Sequence, residues 1–187
     1  MVGLCACGSS GGGNSAAGSV NGAVAGVSYA IADAVSGVVQ SGDNETEAMI
    51  LLSTKGDLCS RIAANQVDRN EGLIGIFLED FIGSGSAETT AAPTAPGTYS
   101  IPMGGAPEPP PMAAAVDVHE VDKNCEEILS TDVEGSAGTI TLTSVSGGAF
   151  SGTFDLTMAT GDHITGSFDP EACAPIAGSS APEPTCN

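Results

Sequence analysis

The chain has 187 residues, enough for one domain with a substantial core and too few for two of ordinary size. Asp and Glu number 23 against 4 Lys and Arg, a formal net charge of −19. That balance excludes a nucleic-acid or anionic-headgroup surface, because neutralising phosphates takes clustered Lys and Arg. Apolar residues make up 41% of the chain but aromatic residues only 4%, with no Trp, so a core is expected and stacking platforms are not. No apolar run reaches the length of about eighteen residues that a membrane-spanning helix needs.

The six cysteines are Cys5, Cys7, Cys59, Cys125, Cys173 and Cys186. No C-x-x-C or H-x-x-x-H pair accompanies them, and Cys5 and Cys7 are too close for a zinc pair. Disulfides in an oxidising compartment account for them better.

Taken in chain order, the opening Leu4-Cys5-Ala6-Cys7, followed by Gly8-Ser9-Ser10, resembles the end of a bacterial lipoprotein signal peptide. Leu4, Ala6 and Cys7 match that motif, while Cys5 stands where a small residue is usual. The resemblance implies cleavage after Ala6 and acylation of Cys7. Gly8, rather than Asp, after that cysteine implies the outer membrane. Only Met1, Val2 and Gly3 precede Leu4, so a basic n-region and an apolar h-region are expected upstream, or the signal has been trimmed. Residues 1–6 then read as a signal remnant, and residues 7–19 as the anchor cysteine and a flexible Gly/Ser tether. Gly8-Ser9-Ser10-Gly11-Gly12 also matches G-x-S-x-G, but it lacks the strand and helix that a nucleophile elbow requires.

Residues 20–176 read as one β domain. In "GAVAGVSYAIADAVSGVVQ" (22–40), Val24, Val27, Ile31, Val35 and Val38 fit a helix face, whereas Val27, Tyr29, Ile31 and Val35 fit alternation. Gly26, Gly37 and the β-branched content favour strand over residues 22–39. "DNETE" places Asp43, Glu45 and Glu47 at alternate positions. It lacks the glycine of an EF-hand turn, so it reads as a solvated acidic loop and not as a calcium site. "EAMILLST" (47–54) and "LIGIFLEDF" (73–81) read as buried strands, with a short helix over 58–62 between them capped by Asp57. Residues 83–96 and 103–112, rich in Gly, Ser, Ala and Pro, read as loops or short polyproline pieces. "GTYSIP" (97–102) and "AAAVDVHEV" (113–121) read as strands nearer an edge.

The clearest part is "GTITLTSVSGGAFSGTFDLTMATGDHITGSFD", which alternates with period two over three runs. Ile140, Leu142, Phe150, Phe154, Leu156, Met158, Ile164 and Phe168 fall on one face. All are even-numbered, so each connecting loop is expected to hold an odd number of residues or to carry a bulge. Such pairing sets Leu142 opposite Gly152 and Leu156 opposite Gly166. The pattern "GTITLTS…GTFDLTM…ITGSFD…C" is similar to that of small bacterial envelope lipoproteins with a β-sandwich domain. It covers the last third of the chain, and the resemblance implies no known reaction. Residues 177–187 read as a Pro-rich tail.

The expected fold is all-β, an antiparallel sandwich or partly closed barrel of about eight strands with at most one short helix. For the four cysteines after the anchor region, Cys59 and Cys173 lie beside ordered elements and Cys125 and Cys186 in loosely patterned segments. That favours Cys59–Cys173 and Cys125–Cys186. No catalytic, metal or cofactor constellation is expected. His119-Glu120 has Lys123, not His, where a zincin needs its second ligand, so His119 reads as a solvated edge residue and His163 as a hairpin-tip residue. No P-loop or dinucleotide fingerprint is present.

The expected function is therefore a lipid-anchored binding or structural module of a bacterial envelope, an outer-membrane lipoprotein or secreted protein, and not an enzyme. Its partners would be the membrane through the lipid, and an envelope protein or small ligand. A calycin-like carrier of a small apolar ligand, or an envelope hydrolase, are the alternatives.

Overall fold

The structure is a computed structural model that describes residues 17–83, 89–102, 110–178 and 185–187. Its strands are β1 (Gly18–Asn21), β2 (Asp33–Gly42), β3 (Glu45–Ser53), β4 (Gln66–Val67), β5 (Gly72–Ile82), β6 (Thr89–Ala91), β7 (Gly97–Ser100), β8 (Met112–Glu120), β9 (Val133–Ser146), β10 (Ala149–Met158), β11 (His163–Phe168), β12 (Glu171–Ala172) and β13 (Thr185–Cys186). One helix, α1 (Leu58–Ala64), follows β3, and a 3₁₀ turn covers Ala174–Gly178. The fold is all-β. One large sheet, ordered β1-β11-β10-β9-β7-β8-β5-β3-β2-β12 with β6 beside β5, curls into a half-barrel, and β4 pairs with β13 in a small second sheet.

Period-two alternation decides which side chains the curl encloses. Ile50 and Leu52 of β3, Ile74, Ile76 and Leu78 of β5, and Val116 and Val118 of β8 point inward and are buried. They meet Ile140, Leu142, Phe150, Phe154, Leu156, Met158, Ile164 and Phe168, all of the inward set expected for β9 to β11. A smaller apolar cluster lies on the convex side, where α1 and the 3₁₀ turn cover β2. It comprises Val35, Val39, Leu58, Cys173 and Ile176.

The β9–β10 hairpin closes through a two-residue turn, Gly147 and Gly148, both with positive φ as a type I′ turn requires. The even count is offset by a bulge between Ser151 and Gly152, which restores Leu142 opposite Gly152. The β10–β11 register differs from expectation by two residues: Gly166 lies opposite Phe154, and Leu156 opposite Ile164. The cause is the turn. Gly161, at φ 87°, takes the last place of a three-residue loop closed by the Met158 N–H on the Asp162 carbonyl, so the loop centres one residue earlier than Gly161.

Other expectations need correction. Residues 22–32 are neither strand nor helix; only from Asp33 onward does the segment enter the sheet. A tight turn at Ala25 and Gly26, bridged between Val24 and Val27, interrupts it, and the Asp162 carboxylate accepts the Ala25 N–H at 2.8 Å. Asp57 does not cap α1 with its side chain. Asp33, the first residue of β2, accepts the Leu58 N–H at 2.7 Å instead. Strands β7 and β8 are interior strands, not edges. The polar residues of β8 that suggested an edge, Asp117 and His119, face outward on the convex side. Gly18 and Ser19, counted with the tether, belong to β1 and pair with Phe168 and Ser167. In the tail, β13 docks in parallel on β4.

Both expected disulfides are present, Cys59–Cys173 and Cys125–Cys186, each with Cα atoms 5.6 Å apart. The first staples α1 to the segment leading into the 3₁₀ turn. Beside it lies a buried ion pair that nothing in the pattern foretold. The Arg61 guanidinium donates twice to Glu71, Nη1 to Oε2 at 2.6 Å and Nη2 to Oε1 at 2.7 Å, and its Nε donates to the Gly56 carbonyl. Ser53 Oγ and the Asp68 N–H complete the Glu71 carboxylate.

Candidate functional site

The concave side of the half-barrel is filled, so the features that could meet a partner lie on the convex face of β3, β5 and β8. Odd-numbered residues point there. β8 pairs with β7 only at Ala113 and joins β9 at Asp117 and Val118. Between these points Ala114–Val116 border a groove of about 310 Å³, floored by Ile101 and Phe77 and rimmed by Asp117 and Glu134. A second hollow of about 330 Å³ shares Phe77, Pro102 and Ala115 with it and ends at Glu47 and Glu79.

Glu47 and Glu79 sit on adjacent strands directly opposite each other, one step beyond the Ala48–Leu78 pair. Burial raises both carboxyls above the ordinary range; Glu79 adds to the rise at Glu47, and Glu45 to the rise at Glu79. Two like charges facing across a ladder destabilise the fold. Because the folded-state values are raised, the native state holds these protons more tightly than the unfolded chain, so their contribution weakens stability as pH rises through the carboxylate range. Glu47→Gln is therefore expected to stabilise the protein at pH 7 by roughly 0.2–1 kcal/mol. The gain should vanish below pH 4, as read by urea unfolding across pH.

At the far end of β8 the structure gathers a second polar group. His119 Nδ1 lies 3.1 Å from Glu127 Oε1 and 3.3 Å from Asp132 Oδ1, and Nε2 lies 3.1 Å from Asp117 Oδ2. Burial alone would lower the imidazole pKa. Asp117 first, then Glu127 and Asp132, outweigh it and hold His119 above its usual range. His119 is thus not an edge residue but the partly exposed centre of a carboxylate cluster on an interior strand. Sequence reading missed this group because Asp132 and Glu127 reach His119 only after the chain returns from the loop over 121–132. The signal present was the density of acids in "VDKNCEEILSTDV".

The remaining sequence candidates separate. His163 opens β11, is 59% exposed at the side chain and pairs with Asp155 at 2.7 Å. Among the described residues neither histidine has a serine hydroxyl as a hydrogen-bond partner. Asn44, at φ 67°, turns the chain between β2 and β3, and Asp43, Glu45 and Glu47 do not bring three ligand atoms within 4.8 Å of one another. Cys5, Cys7 and the 8–12 match lie outside the described residues. No helix among the described residues is long and apolar enough to cross a membrane.

No family model, curated protein or solved structure matches this chain.

Proposed function

We propose that this protein is a lipid-anchored binding module of a bacterial cell envelope, held at the membrane by Cys7 and presenting the convex face of its sheet to a partner. The observation that carries the reading is the conjunction of the Leu4-Cys5-Ala6-Cys7 motif with a β domain closed by two disulfides. Such bonds persist in oxidising compartments, which the lipoprotein route reaches. The convex groove, with an apolar floor and the Asp117 and Glu134 carboxylates at its rim, suits an apolar group flanked by positive charge. The carrier reading has less support, because Phe150, Phe154 and Phe168 occupy the concave side where an apolar ligand would sit.

The anchor is tested in cells with the chain carrying a full signal peptide. Cys7→Ala is expected to leave the precursor uncleaved and unlipidated, so that no mature form reaches the detergent phase, whereas Cys5→Ala changes neither processing nor partitioning. A cleaved, detergent-partitioning form of Cys7→Ala would refute the anchor.

A further inference from the structure

We propose that His119, Glu127 and Asp132 form a binding site for a divalent transition-metal ion, Zn²⁺ being the type, with Asp117 as the residue that positions the imidazole. The three ligand atoms all lie within 4.8 Å of one another. A tetrahedral ion with bonds of about 2.0–2.1 Å separates its ligand atoms by roughly 3.3 Å. The distances from Nδ1 to the two carboxylate oxygens, 3.1 and 3.3 Å, match that spacing.

A proton and a metal ion make different use of this arrangement. Nδ1 carries at most one hydrogen, yet two carboxylate oxygens face it at nearly equal distance. An imidazolium donates Nε2–H to Asp117 and its single Nδ1–H to Glu127 with Asp132 beside it; with that Nδ1 proton gone, the lone pair faces both oxygens, and a cation between the three takes the proton's place. A carboxylate on the outer nitrogen of a metal-binding histidine is the usual means of fixing its tautomer and ring orientation.

The backbone, not the side-chain contacts, holds the group in place. His119 belongs to β8, and Asp132 immediately precedes the Val133–Val118 pair that joins β9 to that strand. Glu127 is bridged to Val121, and the next residue, Ile128, donates its N–H to the Glu120 carbonyl at 2.8 Å. The Cys125–Cys186 disulfide ties the intervening loop to the small sheet. Asp117 lies across Gly75, its partner on β5, where an added Cβ would run into the Asp117 carboxylate. Glycine in the middle of a central strand costs stability, and here it makes room for the positioning carboxylate.

An imidazole with two carboxylates favours zinc and its neighbours over the hard, all-oxygen preference of Ca²⁺ and Mg²⁺. Three protein ligands leave a coordination position open.

The test uses the full oxidised chain with Cys5→Ser and Cys7→Ser, so that no free thiol competes. Calorimetric titration with Zn²⁺ is expected to give one ion per chain, and Co²⁺ to give visible d–d absorption of the same stoichiometry. His119→Ala should abolish both, and the pair Glu127→Gln with Asp132→Asn should do the same. Asp117→Ala should weaken Zn²⁺ by about 10–100-fold while the metal-free melting temperature stays close to that of the parent. His163→Ala should change nothing, and millimolar Ca²⁺ should not displace Zn²⁺. Absence of binding, or weak uptake of several ions that survives His119→Ala, would overturn the site and leave a salt-bridged histidine on an acidic surface. Neither outcome bears on the anchor at Cys7.

Discussion

Replacing Cys59 and Cys173 together with Ala is expected to lower the unfolding free energy by about 4–5 kcal/mol. The bond joins positions 114 residues apart, so it removes a large share of the freedom of the unfolded chain. Its native ends are well defended. Cys173 is 2% exposed and packs with Val35, Val39, Leu58 and Ile176 in the convex cluster, and the Cys173 N–H donates to the Ser36 carbonyl at 2.8 Å. Without the bond, α1 and the 3₁₀ turn cover β2 by packing alone. The Cys125–Cys186 bond closes a loop of 61 residues, for which the same entropy argument gives only slightly less, about 4 kcal/mol. Its loss should nonetheless cost less in practice. β13 and β4 pair over two residues each, so that tail can detach locally without unfolding the half-barrel. Urea unfolding of the two double variants reads the difference. A loss under about 1 kcal/mol for the Cys59/Cys173 pair would mean that the convex cluster holds without its staple.

The second large effect is expected at the buried ion pair. Glu71 is 1% exposed and Arg61 6%, and Glu71→Gln leaves the guanidinium buried opposite a neutral amide. Breaking such a pair costs about 3–5 kcal/mol. Replacing both partners with apolar residues, Arg61→Met with Glu71→Leu, should recover much of that loss, because no buried charge remains. The pair also predicts an acid limb. Burial pushes the Glu71 carboxyl up, but hydrogen bonds from Arg61, Ser53 and the Asp68 N–H outweigh it and hold the carboxyl below the ordinary range. A depressed folded-state value means the native state binds its proton less readily. The stability it contributes is therefore present above the unfolded-state value, near pH 4.3, and is lost as pH falls through the folded one. Melting temperatures of the parent should drop on acidification below pH 4, and those of Glu71→Gln should fall less steeply. Parallel curves would show that Glu71 carries no such linkage.

Much of the half-barrel was legible in the chain, and particular residues show why. The alternation from Thr139 to Phe168 put eight apolar side chains on one face, and all eight are buried. The register was legible only as far as loop geometry allowed. The parity of the inward positions demanded an odd loop between β9 and β10 or a bulge, and a bulge is found at Ser151–Gly152. Parity left the β10–β11 register open by two residues, since a shift of two preserves the faces. The disulfide pairs followed from which cysteines lay beside ordered elements. By contrast, Asp33 capping α1 from 25 residues away has no local signature, and neither does Arg61 finding Glu71.

By itself, then, the sequence determined the fold class and the inward face of β9, β10 and β11, and it favoured the two cysteine pairs that form, because side-chain period and cysteine context are local properties. Tertiary structure alone decided the order of the strands, the interior placement of β7 and β8 and the meeting of His119 with Asp117, Glu127 and Asp132. Those depend on which distant segments share a ladder, and that choice is made by the packing of a common core around Tyr99, Phe150 and Phe168, all but sealed from solvent, rather than by any stretch of chain acting alone.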